Sequence, residues 1–222
     1  MNQDIEKRRN GLLAIAVALG VIILDQILKI WVKTSFYLGE SLEILPFFEL
    51  RFVQNNGMAF GMELGSKLLL TGFRIVVVAL LIWYIVKLLR RGSVKRGYLV
   101  TLVLIAAGAG GNIIDCIFYG EIFNNPMPPQ VASFVPWGEG YSTLFQGYVV
   151  DMLYFPLFQF TWPAWVPGFG GSTFSFFDPV FNLADTSITV GILALIFFYT
   201  KYLPFGNTSS GSTSEKGTAA NE

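Results

Sequence analysis

Apolar residues fill four long runs of this chain, Leu12 to Val32, Leu68 to Leu89, Tyr98 to Phe118 and Phe181 to Tyr202, and polar positions are sparse within them. A hydrocarbon core of about 30 Å needs about 20 predominantly apolar residues per helix, so each run is long enough to cross a bilayer. The first run follows Lys7-Arg8-Arg9, as the apolar segment of a signal peptide would. It is too long for a cleavable one and lacks a small-residue cleavage site, so it is expected to remain as a helix. Between the first two runs, Leu42 to Met62 alternates partly between apolar and polar residues before the turn signal Asn55-Asn-Gly57, which predicts a hairpin or small sheet. The stretch from Phe118 to Phe181 is crowded with Pro, Gly, Phe and Trp and is expected to lie at a membrane surface. The expected fold class is an all-α membrane protein, a four-transmembrane-helix bundle with a small outer-face β region and a long aromatic and Pro-rich outer insertion. Residues 1–205 read as one membrane domain, and 206–222, rich in Ser, Thr, Gly and Ala, as a disordered cytoplasmic tail.

Composition supports this reading: 53% of the residues are hydrophobic, 14% are charged, and mean hydropathy is +0.56. Lys and Arg near helix ends stay on the cytoplasmic side. Lys7, Arg8 and Arg9 precede the first helix, and Arg90, Arg91, Lys95 and Arg96 fill the connection between the second and third. Both termini are therefore expected in the cytoplasm. The segment from Tyr119 to Val180 holds no Lys or Arg, which places it on the outer side. Net charge is zero and the basic residues mark topology, so a nucleic-acid partner is not expected.

The chain has no histidine and a single cysteine, Cys116, which removes the usual bases and any multi-cysteine metal site. No metal or cofactor is expected. Carboxylates remain as candidates for chemistry, and an acid beside hydrocarbon costs at least a few kcal/mol unless something justifies it. Converting position to depth at 1.5 Å per residue places Asp25 and Lys29 late in the first helix and Arg74 early in the second. Asn112 and Asp115 fall late in the third, and Asn182 and Asp185 at the start of the fourth. All lie in the outer half of the membrane, the depth at which a bundle would build one interior site. Asp25 and Lys29, four apart, also suit an internal ion pair. Asn112 and Asp115 also suit an interhelical clamp, and Asn182 a cap for a helix whose first turn carries Asp185. Polar groups at one depth disfavour a small proton-coupled transporter, the main alternative, which needs them along a path.

Five segments, in order, resemble motifs of lipoprotein signal peptidases, the signal peptidase II family. They are Asp25-Gln-Ile-Leu-Lys29; Asn55-Asn-Gly57-Met-Ala59-Phe60; Gly108 with Gly111-Asn112-Ile-Ile-Asp115; Val149-Val-Asp151; and Phe181-Asn182-Leu-Ala184-Asp185. The resemblance implies an aspartic endopeptidase of the bacterial cytoplasmic membrane, with Asp151 and Asp185 as the catalytic pair near the outer face. It implies that Asp25, Lys29, Asn55, Gly57, Ala59, Phe60, Gly108, Asn112, Asp115, Asn182 and Ala184 bind substrate or support the pair. The implied substrate is a diacylglyceryl-modified prolipoprotein cut on the N-terminal side of its lipidated cysteine; membrane lipid is the other expected partner, and the chain is expected to act as a monomer. The family commonly carries Arg directly after the third-helix Asp, where this chain has Cys116. Arg74, at similar depth on the neighbouring helix, is expected to compensate. Arg74→Ala should therefore lower cleavage of a lipidated substrate; a fully active variant would remove that assignment.

Overall fold

The computed structural model describes residues 2–56, 66–92 and 94–202. Four helices in it are long and apolar enough to span a membrane: Gln3–Ser35, Lys67–Arg91, Arg96–Ile122 and Leu183–Tyr202. They begin and end on α1 (Asn2–Ser35), α2 (Lys67–Arg91), α3 (Arg96–Ile114) with its continuation, and α5 (Leu183–Ala194) with its continuation. α3 runs on through a π-helical turn, Asp115–Tyr119, into the single turn α4, Gly120–Ile122. α1 is longer than its apolar run: at 1.5 Å per residue its 34 residues reach about 51 Å. Its buried positions, Asn10, Ala14, Asp25, Lys29, Val32 and Lys33, follow a helical stripe, while Leu12, Ile15, Leu19, Ile23 and Ile27 point away from the bundle.

α3 is the central helix and packs against α1, α2 and α5. Its sequence explains why. In the run Ala106-Ala-Gly-Ala-Gly-Gly111 the side chains are small enough for neighbouring backbones to come close, the usual device where lipid supplies no hydrophobic drive between helices. A Cβ on Gly108 would collide with the Ala184 carbonyl and stand 2.8 Å from Ile188 Cγ1. On the other helix a Cβ on Gly191 would stand 2.6 Å from Ile105 Cγ1 and 3.0 Å from the Thr101 carbonyl. Ser187 Oγ donates to the Leu104 carbonyl at 2.9 Å, adding a hydrogen bond across the same seam. Towards the basic end of the bundle, Ala14, Ile85, Tyr98, Leu99, Leu102, Val103 and Ala106 form a core layer.

The opposite end is covered by an antiparallel sheet in the order β1-β2-β3-β6, built from Ser41–Leu45, Phe48–Asn55, Val149–Tyr154 and Val180–Phe181. The predicted β region before α2 is therefore present as β1 and β2. The 119–180 stretch contributes more strand than its Pro and Gly content suggested: β3 is an inner strand, and β4 (Phe158–Thr161) and β5 (Thr173–Phe176) form a separate ribbon. Val32, Phe36, Phe52, Tyr119, Phe123, Val150 and Met152 form the core beneath the four-stranded sheet.

A bulge in β2 sets the register of this sheet. Leu50 pairs with Leu153, but Val53 rather than Phe52 pairs with Asp151, so β2 carries one extra residue. Opposed residues share a face and alternate along a strand, so the extra residue brings Val53 and Asn55 onto the face of Asp151. Without it, Asn55 would point to the other side.

Gly191 lies on the α3 seam, well away from that sheet. Gly191→Leu should open the seam at a cost of about 1–3 kcal/mol, the usual range for overpacking. The expected result is a lower unfolding temperature in detergent, and an unchanged value would mean that the helices can separate there without cost.

Candidate active site

α1 delivers a buried cation to the sheet end of the bundle. Lys29 and Asp25, one helical turn apart, form an ion pair of 2.8 Å, and both side chains are fully buried. Lys29 Nζ also lies 2.7 Å from Asp115 Oδ2 and donates to Asn112 Oδ1 at 2.7 Å. An ammonium has three hydrogens, and each is directed to one oxygen. Gln26 extends the cluster: its Nε2 donates to Asp115 Oδ1 at 2.8 Å, and its Oε1 accepts from Tyr119 Oη at 3.1 Å. Asp25 Oδ1 accepts from the Ala184 backbone N–H at 2.9 Å, tying α1 to the first turn of α5.

The two asparagines carry this order to the candidate pair of acids. With its oxygen committed to Lys29, Asn112 turns its Nδ2 to Asp185 Oδ1 at 2.7 Å. Asn182 caps α5 through a reciprocal box: its Oδ1 accepts from Asp185 N at 2.8 Å, and its own N–H points back to Asp185 Oδ2 at 3.4 Å. The Asn182 Nδ2 then faces Asp151 Oδ1 at 2.7 Å, Asn112 Oδ1 at 3.1 Å and the Val150 carbonyl at 3.3 Å. Asn55 Nδ2, aimed by the β2 bulge, donates to Asp151 Oδ2 at 3.0 Å. Asn182 thus reaches the Asp151 carboxyl through its side-chain amide and the Asp185 carboxyl through its backbone N–H.

The structure accordingly gathers Asp25, Lys29, Asn55, Asn112, Asp115, Asp151, Asn182 and Asp185 into one network. Ala184 and Gly108 join it by packing, Ala184 also through its backbone N–H. Gly57, Ala59 and Phe60 lie outside the described residues. Asp151 differs from the expected outer loop position: it sits on β3, 1% exposed, because the strand is covered on both faces. Cys116 is buried, within hydrogen-bond reach of Thr71 and electrostatic reach of Arg74 and Lys67.

Gln26 and Tyr119 were not singled out from sequence. Gln26 is a polar residue enclosed within the Asp25 to Lys29 motif, and that enclosure was the available signal. Lys33, one further turn along α1, was missed as well. Its buried Nζ has no hydrogen-bond partner among the described residues and lies 5.7, 5.3 and 5.1 Å from the ring centres of Phe52, Phe123 and Tyr141.

The profile of the family described as Signal peptidase (SPase) II matches residues 17–201. The chain belongs to the signal peptidase II family. A lipoprotein signal peptidase of Porphyromonas gingivalis is 44% identical over 216 residues, covering 93% of this chain and 95% of the relative. One of Amoebophilus asiaticus is 37% identical over 186 residues, covering 81% and 74%. A solved structure described as a bacterial membrane enzyme superposes with a TM-score of 0.58 at 23% identity, covering 90% of this chain and 94% of the other, and so shares the fold.

In this signal peptidase II chain the proton balance at Asp151 follows from its setting. Burial, and next the negative charge of Asp185, push the Asp151 carboxyl up to about 7, against the amide donations of Asn55 and Asn182 and the charge of Lys29. An unfolded aspartate titrates near 3.9. Between about pH 4 and 7 the folded protein therefore holds a proton that the unfolded chain has lost, and stability contributed by this group declines as pH rises through that window. The unfolding temperature in detergent should fall on going from pH 5 to pH 8, and Asp151→Asn should flatten that fall. An equally steep fall in the variant would assign the pH dependence to other groups.

Proposed function

We propose that Asp151 and Asp185 form the catalytic dyad of an intramembrane aspartic endopeptidase acting on diacylglyceryl-modified prolipoproteins. The observation that carries this reading is that Asn182 faces both carboxyls, Asp151 through its Nδ2 and Asp185 through its backbone N–H, with the charge of Asp185 acting on Asp151. Two neighbouring carboxyls share a proton over a wide pH range, so the pair is acid and base at once. The proton rests on Asp151, the carboxyl pushed up to about 7. Asp185 takes a proton from a water held between them as that water's oxygen attacks the scissile carbonyl carbon. Asp151 donates to the carbonyl oxygen. Collapse of the tetrahedral species breaks the C–N bond: the proton taken by Asp185 passes to the leaving amine, and one hydroxyl of the species returns its proton to Asp151 as the carbonyl re-forms, which restores the starting pair.

The position of the site suits a substrate held in the membrane. Lys7, Arg8, Arg9, Arg90, Arg91, Lys95 and Arg96 gather at the end of the bundle opposite the sheet, and by the positive-inside rule that end faces the cytoplasm. The dyad then lies near the outer face, where the cleavage point of an apolar signal helix emerges. The relatives named lipoprotein signal peptidase support a lipoprotein precursor as the substrate class; the cut on the N-terminal side of the lipidated cysteine follows from the motif resemblance. Residues 1–205 act as the peptidase unit, without a requirement for a second copy. The transporter reading is disfavoured by the apolar layer of Ala14, Ile85, Leu99, Leu102, Val103 and Ala106, which separates the network from the basic end.

Purified wild type, Asp151→Asn and Asp185→Asn, each shown to be folded by thermal unfolding, should be compared on a lipidated prolipoprotein. Each substitution is expected to lower turnover by at least the 10²–10⁴-fold typical of a lost general acid or base. A folded variant that still cleaves at the wild-type rate overturns the dyad.

A further inference from the structure

Residues 155–177, between the strand of Asp151 and the strand leading to Asp185, contain nine aromatic residues and no charged one. Their centre is the β4–β5 ribbon, paired Phe158 with Phe176, Phe160 with Phe174, and Thr161 with Thr173. Opposed residues share a face, so the four phenylalanines fall on one side and the two threonines, joined by a 3.1 Å hydroxyl contact, on the other. The ring stack continues from Phe158 to Phe160 at 6.5 Å, to Trp162 at 4.6 Å and to Phe169 at 6.0 Å.

This ribbon is not part of a core. Its strands contact each other and hardly touch other elements. Phe158, Phe174, Phe176, Phe169 and Trp165 stay 47–81% exposed. An isolated two-stranded hairpin is marginal in water, and an exposed apolar patch of this kind marks an interaction surface. The ribbon returns through β6 directly into α5, whose Val190 and Leu193, with Phe197 in its continuation, are exposed on the membrane-spanning surface of the bundle. The chain therefore passes directly from the ribbon into a helix whose outward side is apolar. An uncharged, Trp- and Phe-rich segment matches the boundary between headgroups and acyl chains, where aromatic rings concentrate.

We infer that the β4–β5 hairpin is a membrane-surface contact, laid on the same bilayer leaflet that receives the sheet end of the bundle, with its phenylalanine face in the acyl-chain boundary. Its two feet are fixed on the protein: Phe155 stacks between Phe48 and Phe181, and Phe177 meets Phe181 edge-on. Phe181 immediately precedes Asn182, so the feet stand on the segment that caps α5. This inference concerns lipid contact and holds whether or not Asp151 and Asp185 are the catalytic pair.

The test uses full-length protein in vesicles of phosphatidylethanolamine and phosphatidylglycerol, without substrate. Trp165 is kept as the sole tryptophan by replacing Trp31, Trp83, Trp137 and Trp162 with Phe. Lipids brominated near the headgroup end of the chain are expected to quench its emission several-fold more than aqueous iodide does. A second protein, Ala164→Cys in the otherwise natural sequence, carries an environment-sensitive maleimide; Cys116 is buried and leaves the label specific. Its emission should show the same apolar surroundings even if the tryptophan replacements disturb folding. Phe158→Ser with Phe174→Ser and Phe176→Ser should return both probes to water. Iodide quenching that exceeds bromolipid quenching in the starting proteins would overturn the inference, as would burial that appears only after a lipidated peptide is added, since the face would then seat substrate.

Discussion

A single buried ammonium, that of Lys29, sets the terms for the sheet end of this protein. Removing an ion from water costs several kcal/mol even after relaxation, and the cost is met only by close, well-directed partners. Lys29 has three such partners: Asp25 on its own helix, Asn112 on α3, and Asp115 at the start of the π-helical turn that continues α3. α3 approaches closely enough because Gly111 has no side chain; a Cβ there would stand 2.8 Å from Asp25 Oδ2. α5 is drawn in by the Asp25 bond to Ala184 N–H. The small-residue seam and the ion cluster are thus one device: the glycines allow the approach, and the charges define where it stops. The same approach leaves Lys33 among aromatic rings, a second cation near Asp115 that offsets the excess of carboxylate around Lys29.

Much of this was legible in the sequence because membrane helices make depth readable. Apolar runs located the helices, and 1.5 Å per residue put Asp25, Lys29, Asn112, Asp115, Asn182 and Asp185 at one level. The Asn182 cap and the Asp25–Lys29 pair follow local spacing rules and are found where those rules placed them. What was not legible depends on register. The environment of Asp151 is set by a bulge inside β2, and nothing in Phe48–Asn55 announces an extra residue at that point. Alternation also fails as a signal in β3, since Val149, Val150, Asp151 and Met152 are all buried, and a strand covered on both faces reads as a continuous apolar run. Gln26 was passed over because a single amide beside two charges looks like an accessory to them.

The insertion and the bundle handle aromatic residues by opposite rules. Under the four-stranded sheet, Phe52, Tyr119 and Phe123 are buried and serve the core. In the β4–β5 ribbon the same residue types are exposed on one face of a strand pair with little other support. Composition cannot separate the two, because both segments are Phe-rich; strand pairing and the lack of contact with other elements do.

The orientation of the Asn112 amide has one further consequence. Its oxygen is held by a cation and its nitrogen faces Asp185, so the group acts as an aligned dipole that extends the field of Lys29 to one of two otherwise identical carboxyls. Asp151, also within reach of the Lys29 charge, accepts instead from the amides of Asn55 and Asn182. The pair is therefore wired asymmetrically before anything binds. Two residues of the same chemistry acquire a left and a right, and that broken symmetry originates on a helix to which neither belongs.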